Sequence, residues 1–448
     1  MSDVFVRVAL DHPLPTLFDY RCDIEPPPVP GMLVSVPFGK RDTVGLVCEV
    51  SDRSDVPADR LRAVNAACTA CPPLSAAWLK LAAFAADYYQ RGIGEVALPG
   101  LPQALRDATR WVRLLAPEER YRLMPAGREA LPDALPARAS ALRRLAGVLA
   151  EAGSLSAADA RALHPKAVAT LDAWLAEGWV ERDVIEAADV RAAPPADAPP
   201  ATLPTLTDEQ TAAVEAIRDA NGFAPFLLHG GTGSVKTEVY LRALAGLLAA
   251  DPHAQALVLV PEINLTPQFE AAFRARFAAL DAGAIVTLHS GLAEGERARH
   301  WFAAHTGRAR IVLGTRLAVL ASLPKLAIIV VDEEHDPAYK QQEGLRYSAR
   351  DLAIYRAKQL GIPVVLGSAT PSLESWWQAD QGRYTRLTLS RRAVADAVLP
   401  AIKLIDLEEE HRRGRASIDG LSGPLIAALK SRLERGEQSL VFLNRRGY

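Results

Sequence analysis

The sequence has 448 residues, of which 49% are hydrophobic and 23% charged, with 51 basic and 53 acidic side chains. This composition is globular, and the length predicts about two to four domains. A net charge of −2 excludes a protein that attracts nucleic acid through overall positive charge. Four cysteines are too few for a disulfide scaffold, and the start of the chain lacks the features of a signal peptide. No apolar run reaches the roughly 18 residues of a membrane span. A cytoplasmic protein without membrane contact is therefore expected.

Residues 1–105 begin with strand patterns and end with a helical one. Val4–Leu10 alternates, and Met32–Phe38 and Thr43–Val50 predict two strands of a hairpin. From Leu74 to Tyr89 apolar residues recur three and four positions apart, which predicts a helix. We expect a small β-rich domain closed by one helix.

Residues 106–190 are rich in Ala, Leu and Arg and predict helices at Ala139–Ala150, Ser156–Leu163 and Lys166–Glu177, followed by a strand pair that starts at Gly178. Three helices and a wing favour a winged-helix-like domain, although the periodicity equally fits another small helical domain. Closely spaced prolines then predict a linker over residues 191–205, because proline removes a backbone donor and fixes φ.

From residue 206 onward, short apolar strands alternate with helical stretches, which predicts a parallel α/β sheet covered on both faces. We expect one complete domain of this kind over residues 206–390. A last strand, predicted at Gln438–Leu443, is followed by no helix, so residues 391–448 are expected to be the incomplete start of a second domain. The other predicted strands are Phe226–Leu228, Ala256–Val260, Ala284–Leu288, Arg310–Leu313, Ala327–Val331 and Val364–Leu366.

A glycine-rich segment between the first of these strands and a helix predicts a phosphate-binding loop. Glycines let backbone N–H groups close around phosphates, a lysine reaches the β and γ oxygens, and a hydroxyl binds magnesium. Val235 stands where the pattern has its last glycine, and a β-branched residue resists the backbone conformation available there to glycine. The loop residues are Gly230, Gly231, Thr232, Gly233, Ser234, Val235, Lys236 and Thr237.

Two further segments belong with the loop. Ile328–Val331 ends in Asp332 and Glu333, which predicts magnesium binding by Asp332 and polarisation of water by Glu333; the alternative is a strand with a solvated acidic end. Ser368, Ala369 and Thr370 end another strand. In this order the three segments form the motif series of a superfamily 2 helicase. Upstream, Gln210 is a candidate to read adenine, and the strand ends at Glu262, His289, Thr315 and Arg316 are candidates for a nucleic-acid backbone.

The run Asp332–Arg350 resembles the aromatic-rich loop of the bacterial replication-restart helicase family, primosomal protein N′. Five other segments are similar to the text of that family: GTGSVKTEVYL, LVPEINLTPQ, LHSGL, GSATPSLES and FLNRRGY. Phe18, Asp19 and Tyr20, with the segment Val36–Gly39, resemble the family's domain that captures the 3′ end of a nascent strand. The resemblance covers nearly all of the chain.

This resemblance implies an ATP-dependent 3′→5′ DNA helicase that recognises stalled or abandoned forks and initiates primosome assembly. Lys236 and Thr237 would hold ATP and Mg²⁺, with Asp332 and Glu333 as the hydrolytic pair. Single-stranded DNA would be coupled to ATP by Ser368, Ala369 and Thr370 and by the loop residues Tyr339, Lys340, Arg346 and Tyr347, since aromatic faces stack bases and cations follow phosphates. Implied partners are forked and single-stranded DNA with a 3′ end, single-strand-binding protein and other primosome proteins.

The chain departs from this family in ways that place its ATPase activity in question. The family loop reads Gly-Val-Thr-Gly-Ser-Gly-Lys-Thr, so Val235 replaces a glycine. The family also continues into a zinc-binding insertion and a second motor lobe, whose sequence is not here. Cys68 and Cys71 supply only two of four zinc ligands, so no zinc site is expected. One alternative is therefore a non-catalytic module that binds forks and recruits partners. Another is a different superfamily 2 translocase, against which the 3′-end segment and the aromatic loop argue.

Overall fold

The computed structural model describes residues 4–111, 118–136, 139–185, 204–231, 236–262, 265–278, 280, 282–390, 401–412 and 421–442. The predicted linker lies outside this description except for residues 204 and 205, and so do loop residues 232–235. The chain divides into two compact units, Met1–Ala393 and Val394–Tyr448. Each unit is described by itself.

The N-terminal domain is a six-stranded sheet with strand order β5-β2-β1-β4-β3-β6. The predicted hairpin is confirmed: β3 and β4 pair antiparallel with Phe38 opposite Arg41, and Gly39 between them takes a φ of +61°. Glycine adopts this left-handed conformation without strain. The predicted helix is α1 (Ala76–Tyr88), followed by α2 (Ile93–Ala97). The strands are β1 (Phe5–Leu10), β2 (Phe18–Arg21), β3 (Leu33–Phe38), β4 (Arg41–Ser51), β5 (Arg62–Ala63) and β6 (Ala66–Ala67).

Residues 118–185, which we call the central module, form a smaller α+β structure. Its three-stranded sheet has the order β8-β7-β9, and β7 pairs antiparallel with both neighbours. The three predicted helices are present, and a fourth, α3, precedes them. Of the strand pair predicted from Gly178 onward, the described residues contain one strand, β9. It pairs antiparallel with β7, which precedes the helices in sequence, and the two strands bury Tyr121 and Val180 in one core. The elements are β7 (Glu118–Leu123), α3 (Pro125–Ala134), α4 (Ser140–Ala152), β8 (Ser154–Ser156), α5 (Ala157–Leu163), α6 (Ala167–Ala176) and β9 (Val180–Ile185).

The region after residue 204 is a RecA-like lobe with a seven-stranded parallel sheet in the order β12-β13-β11-β14-β15-β10-β16. All six predicted strands are present, and the seventh, β16, pairs with β10. The sequence did not predict β16, because this strand lacks the continuous apolar run of the other six. Leu389 is its one buried residue. The strands are β10 (Pro225–Gly230), β11 (Gln255–Leu259), β12 (Ile285–Leu288), β13 (Ile311–Gly314), β14 (Leu326–Asp332), β15 (Val364–Ser368) and β16 (Thr385–Leu389).

Six α-helices accompany this sheet in the part of the lobe that the structure describes, and the first has a well-defined N-terminus. Thr207 and Gln210 form a capping box at the start of the first helix, each side chain bonding the other's backbone N–H. The helices are α7 (Asp208–Arg218), α8 (Lys236–Ala250), α9 (Pro267–Arg276), α10 (Glu294–His305), α11 (Ala349–Leu360) and α12 (Leu373–Asp380).

The N-terminal domain and the RecA-like lobe share one hydrophobic core. Helix α1 packs against α11, and the ring of Phe84 stacks on that of Tyr355 with centroids 3.4 Å apart. The indole N–H of buried Trp78 donates to the carbonyl of Leu320 at 2.7 Å. His305 spans the same junction, with Nε2 2.9 Å from the carbonyl oxygen of Pro72. We call this packed interface the joint.

The second unit contains α13 (Leu407–Arg412) and α14 (Gly423–Glu434) within its described residues. The strand predicted at Gln438–Leu443 is wrong for residues 438–442, which are irregular, while Leu443 lies outside the description. Leu440 is 97% exposed, so it lacks the packing that a buried strand requires.

Candidate nucleotide and DNA site

The carboxyl ends of three adjacent strands, β14, β15 and β10, bring the predicted nucleotide-binding residues together. Strand β10 ends at Gly230, and α8 begins at Lys236, whose Nζ lies 3.3 Å from the carbonyl oxygen of Gly230 and 3.6 Å from Oε1 of Glu333. Thr237 follows in the first turn of α8. Ligands of open parallel sheets bind at this edge. The cation of the loop and the acidic strand end are thus neighbours.

Asp332, the last residue of β14, is held from two directions. The Tyr240 hydroxyl donates to its Oδ1 at 3.0 Å, and the Tyr339 hydroxyl donates to its backbone oxygen at 2.6 Å. Burial raises the pKa of the Asp332 carboxyl, and the nearby carboxylate of Glu333 adds to this, while the Tyr240 hydrogen bond and Lys236 oppose it. The next residue, Glu333, has a φ of +46°, an unfavourable conformation for a residue other than glycine.

Glu334 and His335 connect the acidic segment to the Ser-Ala-Thr segment. His335 lies with Nδ1 2.8 Å from Oγ of Ser368 and Nε2 3.3 Å from Oγ1 of Thr370. Ser368, Ala369 and Thr370 therefore meet the acidic segment through His335.

The Glu334 carboxylate is fully buried and accepts hydrogen bonds from the backbone N–H and hydroxyl of Ser372, from the hydroxyl of Ser375 and from Arg350. Sequence reasoning assigned no role to Glu334 and no catalytic role to His335. The donors to Glu334 lie 16 to 41 positions away in the sequence, so no local sequence pattern around Glu334 could predict them.

Gln210, the candidate adenine reader, is 4% exposed. Its side-chain oxygen accepts the backbone N–H of Thr207 at 2.9 Å in the capping box. The residue therefore stabilises the start of α7, and adenine contact stays a prediction.

Farther along the same edge of the sheet, the carboxyl ends of β12 and β13 border a cavity of about 550 Å³ that also reaches the N-terminal domain. Thr315 is buried directly after β13, and Nη1 of Arg316 donates to the carbonyl of Ala338 in the aromatic loop at 2.8 Å. The cavity is large enough for a nucleotide residue. The residues that line it come from several separate segments of the chain and include Leu101, Arg106, Glu262, His289, Thr315, Arg316 and Tyr347.

The aromatic loop differs from the sequence-based expectation. Tyr339 is 2% exposed, so its ring has no face open for a base, and the expected stacking by this residue is wrong for this conformation. Tyr347 is 4% exposed and borders the cavity, so base stacking on its ring stays a prediction. Burial of Tyr339 follows from its hydroxyl reaching Asp332, and Tyr347 lies against Arg316. Lys340 and Arg346 are exposed, with Nζ of Lys340 bonded to the carbonyl of Arg346 at 2.7 Å.

The predicted 3′-end pocket falls on strand β2. Phe18 is half-buried and packs edge to face on Phe38, and Tyr20 is buried with its hydroxyl 3.2 Å from the carbonyl oxygen of Pro37. Burial raises the pKa of Tyr20 to about 12. Asp19 accepts a hydrogen bond from the Ser54 hydroxyl at 2.5 Å. Strand geometry turns successive side chains to opposite faces, so these three residues do not all face one pocket.

The donors present fit magnesium. A hydroxyl from Thr237 and a carboxylate from Asp332 match a metal that is held by one or two protein oxygens together with phosphates and water. Among the described residues, no group of three or more His, Cys, Asp or Glu side chains is placed to hold a metal ion by itself. Cys68 and Cys71 are buried free thiols, and burial raises the pKa of both, to about 12 for Cys71. No helix in the described ranges is long and apolar enough to cross a bilayer.

Comparisons with known proteins cover nearly the whole chain. Residues 7–102 match the family model of the PriA 3′ DNA-binding domain, and residues 207–376 match that of the DEAD/DEAH box helicase. The chain is 38% identical to Replication restart protein PriA of Haemophilus influenzae over 99% of its own length and 59% of that relative. It is 45% identical to the Bacillus subtilis protein of the same name, over 54% of this chain and 29% of the relative. The chain thus spans less than two thirds of these relatives.

Proposed function

In sequence the chain belongs to the family of the replication restart protein PriA, and we propose that it is the DNA-binding half and first motor lobe of an ATP-driven 3′→5′ DNA helicase that acts at stalled or abandoned replication forks. The observation that carries this proposal is the meeting of Lys236, Asp332 and Glu333 at one edge of the parallel sheet, with Lys236 only 3.6 Å from Glu333. In a nucleotide-bound state, phosphate oxygens would take the place of Glu333 beside the lysine.

Each nucleotide-site residue has a chemical role in this proposal. Lys236 neutralises the β and γ phosphates, and the loop residues Gly230–Val235 offer backbone N–H groups to them. Thr237 and Asp332 would hold Mg²⁺, which when bound neutralises charge on the phosphates. Glu333 orients and polarises the attacking water. Ser368 and Thr370 are linked to the acidic segment through His335 and would couple DNA binding to the nucleotide site.

DNA binding is proposed at two places. Phe18 and Tyr20 on one face of β2 and Asp19 on the other would each contribute to recognition of a strand's 3′ end around this strand. Thr315 and Arg316 would contact the backbone of a single strand in the cavity beside them. Exposed Lys340 and Arg346 suit phosphate contacts. The tyrosines of the loop would couple DNA binding to the nucleotide site from within the fold, because the Tyr339 hydroxyl donates a hydrogen bond directly to the backbone oxygen of Asp332.

The biological assignment rests on the relatives. By analogy with a family named for replication restart, we propose that the chain works in the cytoplasm with forked DNA, single-strand-binding protein and other primosome proteins. The second candidate function is a non-catalytic module that binds forks and recruits partners. Val235 favours it, since a valine beside Lys236 crowds the position where phosphate must approach the backbone.

The test is DNA-stimulated ATP hydrolysis by the chain and by its Val235→Gly and Lys236→Ala variants, with binding to forks that end in a 3′-hydroxyl or a 3′-phosphate. We expect weak hydrolysis that Val235→Gly increases and Lys236→Ala abolishes, together with preference for the hydroxyl. Fork binding without hydrolysis in both the chain and Val235→Gly would support the non-catalytic module. Equal affinity for the two fork ends would contradict the 3′-end pocket.

A further inference from the structure

Tyr240 lies one helical turn after Lys236, on the buried side of α8, and is 1% exposed. Its hydroxyl donates a 3.0 Å hydrogen bond to Oδ1 of Asp332 on β14. The bond crosses from the helix that follows the phosphate loop to the acidic strand end. A carboxylate that accepts a fixed donor at one oxygen has lost its freedom to rotate, so the direction of its other oxygen is set.

Strand β15, which lies between β14 and β10 in the sheet, leaves space for the Tyr240 hydroxyl at Gly367. Gly367 on β15 lies where an added Cβ would come within 1.5 Å of the Tyr240 hydroxyl oxygen and 2.8 Å of its Cζ. No side chain larger than hydrogen is compatible with the present position of the phenol. A phenylalanine ring would fill this buried position equally well. The hydroxyl group, with Gly367 beside it and the Asp332 carboxylate as its acceptor, requires tyrosine.

We propose that Tyr240 is a positioning residue, which orients the Asp332 carboxylate toward the metal-bound phosphates. The inference rests on the proposed function in one respect, that Asp332 holds magnesium. Tyr240 itself touches neither nucleotide nor metal in this scheme, so its loss should weaken the contribution of magnesium to nucleotide binding and leave metal-independent binding unchanged.

A matched control lies in the central module. Tyr121 is fully buried and its hydroxyl donates to Oδ1 of Asp172 at 2.5 Å. Tyr121→Phe therefore deletes the same chemical bond at a site with no proposed nucleotide role. A general effect of losing a buried tyrosine hydroxyl would be common to both variants.

The experiment titrates an N-methylanthraniloyl-labelled ATP into the full chain, in magnesium chloride and in EDTA, for the parent, Tyr240→Phe and Tyr121→Phe. Each is made both in the chain as it stands and with Val235→Gly. We expect Tyr240→Phe to reduce the magnesium-dependent gain in affinity by about 10-fold, the lower end for residues that orient metal ligands. Affinity in EDTA should be unchanged, and Tyr121→Phe should match its parent in both conditions.

Gly367→Ala tests the same bond from the other side and keeps the inference testable if Tyr240→Phe does not fold. The added methyl displaces the phenol, so this variant should lose at least as much magnesium dependence. The double variant should lose less than the sum of the two, because both changes remove one bond.

Three outcomes would overturn the inference alone: unchanged magnesium dependence in folded Tyr240→Phe, an equal loss in EDTA, or the same loss in Tyr121→Phe. If neither parent binds labelled ATP in magnesium, the inference and the proposed nucleotide site fail together, while fork binding remains to be judged by its own assay.

Discussion

The N-terminal β domain and the central module, both small and both built around mainly antiparallel sheets, differ in how they relate to the RecA-like lobe. Buried residues of α1, such as Leu81 and Ala85, belong to the same hydrophobic cluster as Leu352 and Ala353 of α11. The described buried residues of the central module, from Tyr121 to Val180, form a cluster of their own. We therefore expect a ligand on the N-terminal domain to bias the lobe through this packing, and a change in the central module to disturb the lobe less.

The largest test of this difference is a pair of tryptophan truncations. Trp78→Ala should destabilise the chain by about 3 to 5 kcal/mol, because it removes a large side chain from the joint and its hydrogen bond to Leu320. Hydrogen exchange should accelerate in both β1–β4 and α11. Trp174→Ala, which truncates a residue 5% exposed in the central module, should accelerate exchange there and leave α11 protected. Loosening of the N-terminal domain alone in Trp78→Ala would contradict the shared core.

Much of this architecture could be predicted from sequence, since it follows from local pattern. Continuous apolar runs marked six strands of the lobe, and the spacing around Lys236 and Asp332 marked the nucleotide site. What could not be predicted depends on contacts between distant segments. Trp78 and Leu320 are 242 positions apart, and nothing near either residue indicates the other. Tyr339 and Tyr347 were expected to couple single-stranded DNA to the nucleotide site, and nothing in the residues beside them indicates that both rings are almost fully buried.

The next test concerns protonation at the joint. His305 bridges the two parts, with Nδ1 2.8 Å from the Ser322 hydroxyl and Nε2 2.9 Å from the Pro72 carbonyl oxygen. Burial lowers the pKa of His305 from its ordinary value of 6.5. The unfolded chain therefore binds the proton more readily than the folded one, and stability falls as the pH drops below about 6.5.

His305→Gln measures this effect. At neutral pH it should cost about 2 kcal/mol, since a buried side chain with two hydrogen bonds is replaced. The free energy of unfolding is measured with denaturant between about pH 8 and pH 5, a range that brackets the ordinary pKa of histidine. It should fall less steeply with decreasing pH in the variant than in the wild type. His164→Gln, at an exposed histidine of the central module, is the control and should follow the wild type. Parallel pH profiles for wild type and His305→Gln would refute the assignment.

A smaller effect is expected where the joint meets the aromatic loop. The Tyr89 hydroxyl, just after α1, accepts the backbone N–H of Ser348 at 3.0 Å. Tyr89→Phe leaves this N–H without its partner and should cost about 1 kcal/mol. Hydrogen exchange should increase at Ser348 and its neighbours. Tyr88→Phe, at an adjacent ring that is 65% exposed, should leave exchange in the loop as it was. The same increase in both variants would mean that the Tyr89 contact does not hold the loop.

The smallest effect is expected on the sheet surface of the central module. Arg122 pairs with Glu181 at 2.9 Å and with Asp183 at 3.3 Å, and its side chain is 47% exposed. Exposed ion pairs of this kind contribute about 0 to 1 kcal/mol and weaken with salt. Arg122→Gln should therefore change the midpoint of denaturant unfolding only slightly, and less at high salt. Because this module has its own core, the variant should also leave fork affinity and exchange in α11 at wild-type levels. A loss of fork affinity in Arg122→Gln would instead give the central module a direct part in DNA binding, and the division between a coupled and an independent domain would then fail.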